Sequence, residues 1–207
     1  MNRNLGGKAN VVYFNLDWNQ ALKPHHMAFV DEFQKNATPD TKLVADLNAN
    51  PGTTENGFKL TNTVLQAHPE ANVFVGDDLI VLGALAALQA AGKANRPDIA
   101  LIGMAGDSAA LAEIEKGNSL YKSTATFNFP ILGYMVGKFA SDWIAGKTIP
   151  SVIKTPAVEL STHEDIVAYK HDLTDLPQTF AKGEGKYFTL LGNISYGTKL
   201  HYFDGNV

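Results

Sequence analysis

Two adjacent carboxylates, Asp77 and Asp78, stand at the junction between a short apolar run, Val73-Phe74-Val75, and a long apolar segment closed by Gly92. Paired carboxylates can do general acid–base work, but only when one pKa is raised beside a partner, and the sequence shows no such partner. Two other roles remain. A carboxylate at a helix N-terminus accepts orphan amides and complements the helix dipole, and Asp78 reads mainly as such a cap. Asp77 lies nearer the strand end, the edge where open α/β sheets hold small ligands. It reads as a ligand contact or as a second cap. Trp18, on a polar stretch beyond another apolar run, is equally a stacking surface for a sugar ring or a lid over helix ends.

Other constellations fail on spacing. Gly146-Lys147-Thr148 looks like the end of a phosphate-binding loop, but Ser141 stands where that motif needs glycine, a helix precedes it and Pro150 follows. Gly103-Met104-Ala105-Gly106 lacks the second glycine of a dinucleotide fingerprint. His25 and His26 are neighbours on a helix, about 100° apart, and cannot chelate one metal from one face. His163-Glu164-Asp165 reads as a solvated polar run. No serine occupies a G-x-S-x-G elbow. The absence of cysteine removes thiolate nucleophiles, disulfide scaffolds and Cys-ligated zinc together. No catalytic residue, metal or cofactor is assigned. Asn36-Ala37-Thr38 and Asn193-Ile194-Ser195 match glycosylation acceptors, which matter only in a eukaryotic secretory pathway.

The elements that must position these residues follow from periodicity. Val11 to Phe14 is a first strand, stopping at Asn15-Leu16-Asp17. Ala21 to Phe33 is a helix with Met27, Phe29, Val30 and Phe33 at helical spacing, and Pro24 fits only its first turn. Leu43 to Leu47 is a strand, with Asn48 in the loop at its end. Thr53 or Thr54 caps a helix that ends at His68-Pro69. The Val73–Val75 strand and the helix to Gly92 come next. Ile99 to Ile102 is a strand, Asp107 or Ser108 caps a short helix to Lys116, Tyr121 to Phe127 is a strand and Ile131 to Ala145 a helix carrying Trp143. Val158 to Leu160 is a last strand. Strands alternating with helices predict an α/β fold, a doubly wound parallel sheet with helices on both faces.

At 207 residues the chain can bury a real core, and its 45% hydrophobic and 18% charged residues are ordinary for a globular protein. The net charge of -4, with scattered Lys and Arg, argues against a nucleic-acid partner, which demands a positive footprint. The first ten residues, MNRNLGGKAN, lack the apolar core of a signal peptide. No window is long and apolar enough to cross a bilayer.

From Gly76 to Gly92, GDDLIVLGALAALQAAG, the chain resembles the type I periplasmic sugar-binding proteins of the ribose- and galactose-binding kind, relatives of the effector domains of lac-repressor-type regulators. Their pattern there is an Asn-Asp pair, two or three residues, a Leu-Gly-Ala helix and Ala-Gly. Ala67-His68-Pro69-Glu70-Ala71 and Ile102-Gly103 also fit. The resemblance runs from Gly6 to Tyr169. It implies that residues 1–168 form the C-terminal lobe of a two-lobed fold whose N-terminal lobe is missing here. Residues 169–207 are then a C-terminal extension, with a possible β-hairpin over Lys186–Leu191 and Lys199–Phe203.

The resemblance implies the solute-binding component of an ABC importer rather than an enzyme, periplasmic or extracellular, with a sugar, polyol or related ligand and a permease partner. The alternative is a ligand-sensing effector domain of a regulator or receptor. Carried over residue by residue, the family's cleft Asn becomes Asp77, and the following Asp is kept as Asp78. The arginine that holds sugar hydroxyls falls at His25. The aspartate after the fourth strand falls at Ala105, and the polar residue at the second lobe crossing falls at Asn128. Asn15, Trp18 and Asn48 share the strand-end edge as further candidates. In the family, the helix corresponding to residues 131–145 packs on the first lobe. Its apolar face is therefore expected to find self-association, a bound partner fragment, or its own lobe.

Overall fold

The computed structural model describes residues 8–196. These divide into two units: residues 8–126 with Glu159–Ile166, and Phe127–Val158 with residues 167–196.

The first unit is a sheet in the order β2-β1-β3-β4-β5-β7, built from β1 (Ala9–Asn15), β2 (Thr41–Asn48), β3 (Val73–Gly76), β4 (Ala100–Met104), β5 (Tyr121–Thr126) and β7 (Val158–Leu160). Pairing from β2 through β5 is parallel throughout. The intervening helices are α1 (Lys23–Asn36), α2 (Thr54–Ala67), α3 (Asp78–Ala90) and α4 (Ser108–Glu115). Strand side chains alternate between faces, and the central strands show it. Ala9, Val11 and Val73 pack with Phe29 and Phe33 of α1, and Tyr13 stacks on Phe29 with ring centroids 3.9 Å apart. Val12, Phe14, Phe74 and Leu101 are buried on the other face. Helices α2 and α3 approach each other through glycines: a Cβ on Gly57 would lie 2.1 Å from the Ile80 carbonyl oxygen, and one on Gly83 2.1 Å from that of Thr54. The doubly wound α/β sheet expected from the sequence is the observed fold.

Boundaries shift where caps act. α1 begins two residues later than periodicity suggests, with Pro24 in its first turn, and runs on to Asn36. β2 extends through Asn48, which is therefore the last strand residue and not part of a loop. α2 takes Thr53 as its cap, the Oγ1 accepting from the Asn56 amide.

The second unit contains α5 (Phe129–Ile144), β6 (Val152–Lys154), α7 (Leu176–Lys182) and β8 (Thr189–Leu191). α6 (His163–Asp172) runs across the division between units. β6 and β8 pair antiparallel, so the part of Lys186–Leu191 that is strand joins a segment forty residues upstream. The expected partner strand, Lys199–Phe203, lies outside the described residues. The apolar face of α5 meets the C-terminal extension. Phe180 of α7 packs its ring 5.7 Å from Tyr134 and 5.9 Å from Phe139, and stacks on Phe188 at 5.2 Å. Trp143 meets Tyr196 at 4.6 Å. Phe129, Val136 and Ile144 stay exposed.

Candidate functional site

Parallel register brings three of the expected site residues to one level of the sheet. Asn15 pairs with Asn48 across β1 and β2. Phe14 pairs with Gly76, which places Asp77 beside the end of β1. The level Asn48–Asn15–Asp77 is thus the C-terminal edge of three adjacent strands. Trp18, in the loop between β1 and α1, lies over the loop between β2 and α2: a Cβ added to Gly52 would sit 3.8 Å from Trp18 Cζ2. Its indole is 46% exposed. The Asn50–Pro51 peptide in the same loop is cis.

Of the two junction carboxylates, the cap is not the one expected, and Asp78 takes a role the sequence did not suggest. Asp77, not Asp78, is the N-cap of α3, with Oδ1 accepting the Leu79 amide at 3.0 Å. Burial is the main cause that raises its pKa above the ordinary range; the Leu79 amide opposes this, and the charges of Asp78 and Asp107 add to it. Asp78 is fully buried. Its Oδ1 accepts from the Tyr121 hydroxyl and the Thr124 hydroxyl, both at 2.8 Å, and its Oδ2 accepts from the Asp107 amide at 2.6 Å. Asp107 in turn caps α4, accepting from the Ala109 amide. Asp78 therefore ties the start of α3 to β5 and to the start of α4. The reason is local geometry. The extended φ and ψ of Asp77 are those of a capping residue, whereas Asp78 already lies in the first helical turn and turns inward. Burial, then the Asp78 carboxylate, push the Tyr121 phenol far upward, so it remains a hydrogen-bond donor.

Gly103 is required by this network. A Cβ there would stand 1.8 Å from Asp78 Oδ1 and 2.0 Å from the Tyr121 hydroxyl. Ala105 adopts φ 139, a region disfavoured for residues with a Cβ.

The remaining candidates separate. Asn15 is buried, and its amide is engaged: Nδ2 donates to Asp46 Oδ1 at 2.7 Å and Oδ1 accepts from the Asp17 amide at 3.2 Å. Asn48 is exposed at the strand end. His25 is an exposed residue of α1. Asn128, in the second unit, is the N-cap of α5, buried, with a left-handed φ of 55.

His26, set aside with its neighbour in the sequence reading, proves central to the edge. Its Nδ1 lies 2.7 Å from Asp17 Oδ1 and its Nε2 2.7 Å from Asp46 Oδ2. The Tyr13 ring centroid is 5.5 Å from its own. The available signal was helical spacing: His26 shares its inward face with Phe29 and Phe33, three and seven residues on, whereas His25 is exposed.

A doubly wound sheet with a polar strand-end edge is the geometry of a small-molecule binding unit. Residues 1–148 match the model of the periplasmic binding protein domain family, and the chain belongs to that family. It is 38% identical over 97 residues to the D-apiose import binding protein of Actinobacillus succinogenes, covering 46% of this chain and 28% of the relative. It is 32% identical over 117 residues to the ribose import binding protein of Bacillus subtilis, covering 56% of this chain and 35% of the relative. The matched stretches thus cover about a third of the length of these relatives. A crystal structure from Mycobacterium smegmatis in complex with β-D-fucofuranose shares the fold at TM-score 0.70 and 21% identity, covering 89% of this chain and 58% of that one. An ABC transporter periplasmic solute-binding protein from Actinobacillus succinogenes with bound D-allose matches at TM-score 0.70 and 24% identity, covering 81% and 57%. Both named relatives are import binding proteins. No helix among the described residues is long and apolar enough to cross a membrane.

Proposed function

We propose that the chain is a carbohydrate-binding module of an ABC importer, acting in the periplasm or outside the cell with a permease partner, and that the Asn48–Asn15–Asp77 edge forms one wall of its ligand site. The observation that carries this reading is the register that sets these polar strand ends level with one another, beside an exposed indole. It is supported by relatives named for the import of D-apiose and ribose, and by solute-binding proteins of the same fold solved with D-allose and, from Bacillus halodurans, with myo-inositol. Asp77 accepts ligand hydroxyls. Capping engages one of its oxygens, and a carboxylate has acceptor sites to spare. Trp18 offers an apolar ring to the C–H face of a sugar. Asn48 supplies an amide, and Asn15 holds the rim in place. His25, exposed on α1, is a further contact by family position.

A thermal-shift series with D-apiose, D-ribose, D-allose and myo-inositol tests this reading. A ligand present at 100 times its Kd stabilises the fold by about 2.7 kcal/mol. At least one of the four is expected to raise the Tm in a concentration-dependent way, with the response reduced in D77A and W18A. No shift at any concentration up to solubility refutes the proposal.

A further inference from the structure

His26 bridges two carboxylates from different elements, Asp17 in the loop after β1 and Asp46 on β2, each at 2.7 Å. Neutral imidazole has one N–H donor and one lone pair. In this geometry the lone pair would face a carboxylate, so the bridge is complete only as imidazolium, with both ring nitrogens donating. The bridge is also embedded in the edge. Asp46 accepts from the Asn15 amide, and the Asp17 backbone amide donates back to Asn15. Asp17 immediately precedes Trp18, so whatever holds Asp17 sets where the indole lies over Gly52.

We infer that His26 is a positioning residue whose protonated ring clamps Asp17 and Asp46, and that this clamp sets the Trp18 rim of the strand-end edge in a pH-dependent way. The consequence for ligand affinity rests on the proposed sugar site; the clamp itself does not.

Among the described residues, the groups facing His26 are those two carboxylates and the Tyr13 ring. Burial, then Asp46 and Asp17, push the Tyr13 phenol up to about 12, so it stays uncharged over the range in which the imidazole titrates. On its own helix the neighbours with titratable side chains are His25 and Lys23. Burial pulls the His26 pKa down, but the hydrogen bonds and charges of Asp46 and Asp17 outweigh it, and the net shift is upward from 6.5. The folded state therefore holds this proton more tightly than the unfolded chain. The clamp's contribution is fully present below about 6.5 and is lost as pH rises through the higher folded value.

The test follows histidine ring resonances and tryptophan emission of the full chain without ligand, in a W143F background that leaves Trp18 as the reporter. His26 is expected to titrate above 6.5, and its titration is expected to move downward in D17N and D46N. Trp18 emission should change with the same midpoint. H26Q should give the unclamped emission at every pH, and H26R, a permanent cation with several donors, should remove the pH dependence while keeping the clamped emission. Titration at or below 6.5, or Trp18 emission that is flat through the His26 transition, overturns the inference. The sugar series run at pH values on either side of that midpoint separates the two claims. A sugar that binds several-fold more weakly above it, with the difference lost in H26Q, supports both. A sugar that binds with no such difference overturns the coupling to the site. Failure of all sugars refutes the sugar reading, while the spectra still decide the clamp.

Discussion

Replacing Asp78 by asparagine tests whether the strand–helix junction is held by a buried acceptor. In the parent, two oxygens receive three donors: the Tyr121 and Thr124 hydroxyls and the Asp107 amide. Asparagine keeps the shape but turns one oxygen into a donor. The Asp107 N–H cannot rotate away, so the remaining carbonyl oxygen must face it, and the new NH2 then meets two hydroxyls. Thr124 can accept from that NH2. Tyr121, which is buried, loses its acceptor. One buried unsatisfied donor costs about 1–3 kcal/mol, so D78N is expected to lose about that amount. D78A removes all three bonds and leaves a void, for about 3–5 kcal/mol, a large share of the stability of an ordinary domain. Urea unfolding in the W143F background reads the first unit through Trp18, and the midpoint should fall without a change in slope. The double variant D78N/Y121F should cost less than the sum of the singles by about 1 kcal/mol, because both remove the same bond. A D78N variant within about 0.5 kcal/mol of its parent would behave as an ordinary surface substitution and would refute the network.

Three further outcomes follow from the same geometry. D77N should be neutral or stabilising, since asparagine caps as well as aspartate and relieves repulsion from Asp78 and Asp107; D77A should cost about 1 kcal/mol. Equal losses in the two variants, again by urea, would contradict the cap assignment. G103A should destabilise by about 1–3 kcal/mol, because the added Cβ overlaps Asp78 Oδ1 and the Tyr121 hydroxyl; an unchanged unfolding midpoint would contradict the packing. F180A should loosen the second unit by about 2 kcal/mol, less than a fully buried phenylalanine, since the ring is half-buried against Tyr134, Phe139 and Phe188. Hydrogen exchange should then show faster exchange in α5 and α7 while β1 and β3 keep their protection. Uniform loss across both units would contradict it.

The parallel sheet was legible because continuous apolar runs such as Val73–Val75 and the nearly all-apolar helix α3 alternate along the chain and are bounded by turn residues such as Gly76 and Gly92. The two helices of the C-terminal part were harder to see. α6 has little amphipathic contrast, and α7 is short and polar. Both nonetheless carry local signals. Thr162 and Asp165 form a reciprocal cap, Thr162 Oγ1 accepting from the Asp165 amide and Asp165 Oδ2 from the Thr162 amide. Asp175 caps α7 ahead of Pro177. β6 lacked any such signal, because three residues pair with a strand far along the chain. At the edge, the level of Asn15, Asn48 and Asp77 could be anticipated from strand ends alone. The division of labour between Asp77 and Asp78 could not, since it depends on Tyr121 and Thr124, more than forty residues away. His26 was hidden for a similar reason: its carboxylate partners come from a loop and from the next strand, and only register brings them together.

The central claim is that a sugar sits against the C-terminal edge of β1, β2 and β3. Its most direct test is an amide chemical-shift titration of the chain with D-ribose and D-apiose into the millimolar range, which detects even weak contact. The account predicts saturable shifts concentrated at Trp18, Asn48, Asp77 and Leu79, with the Asp77 and Leu79 shifts reduced in D77A. Shifts confined to other parts of the fold, or none with either sugar, would contradict it.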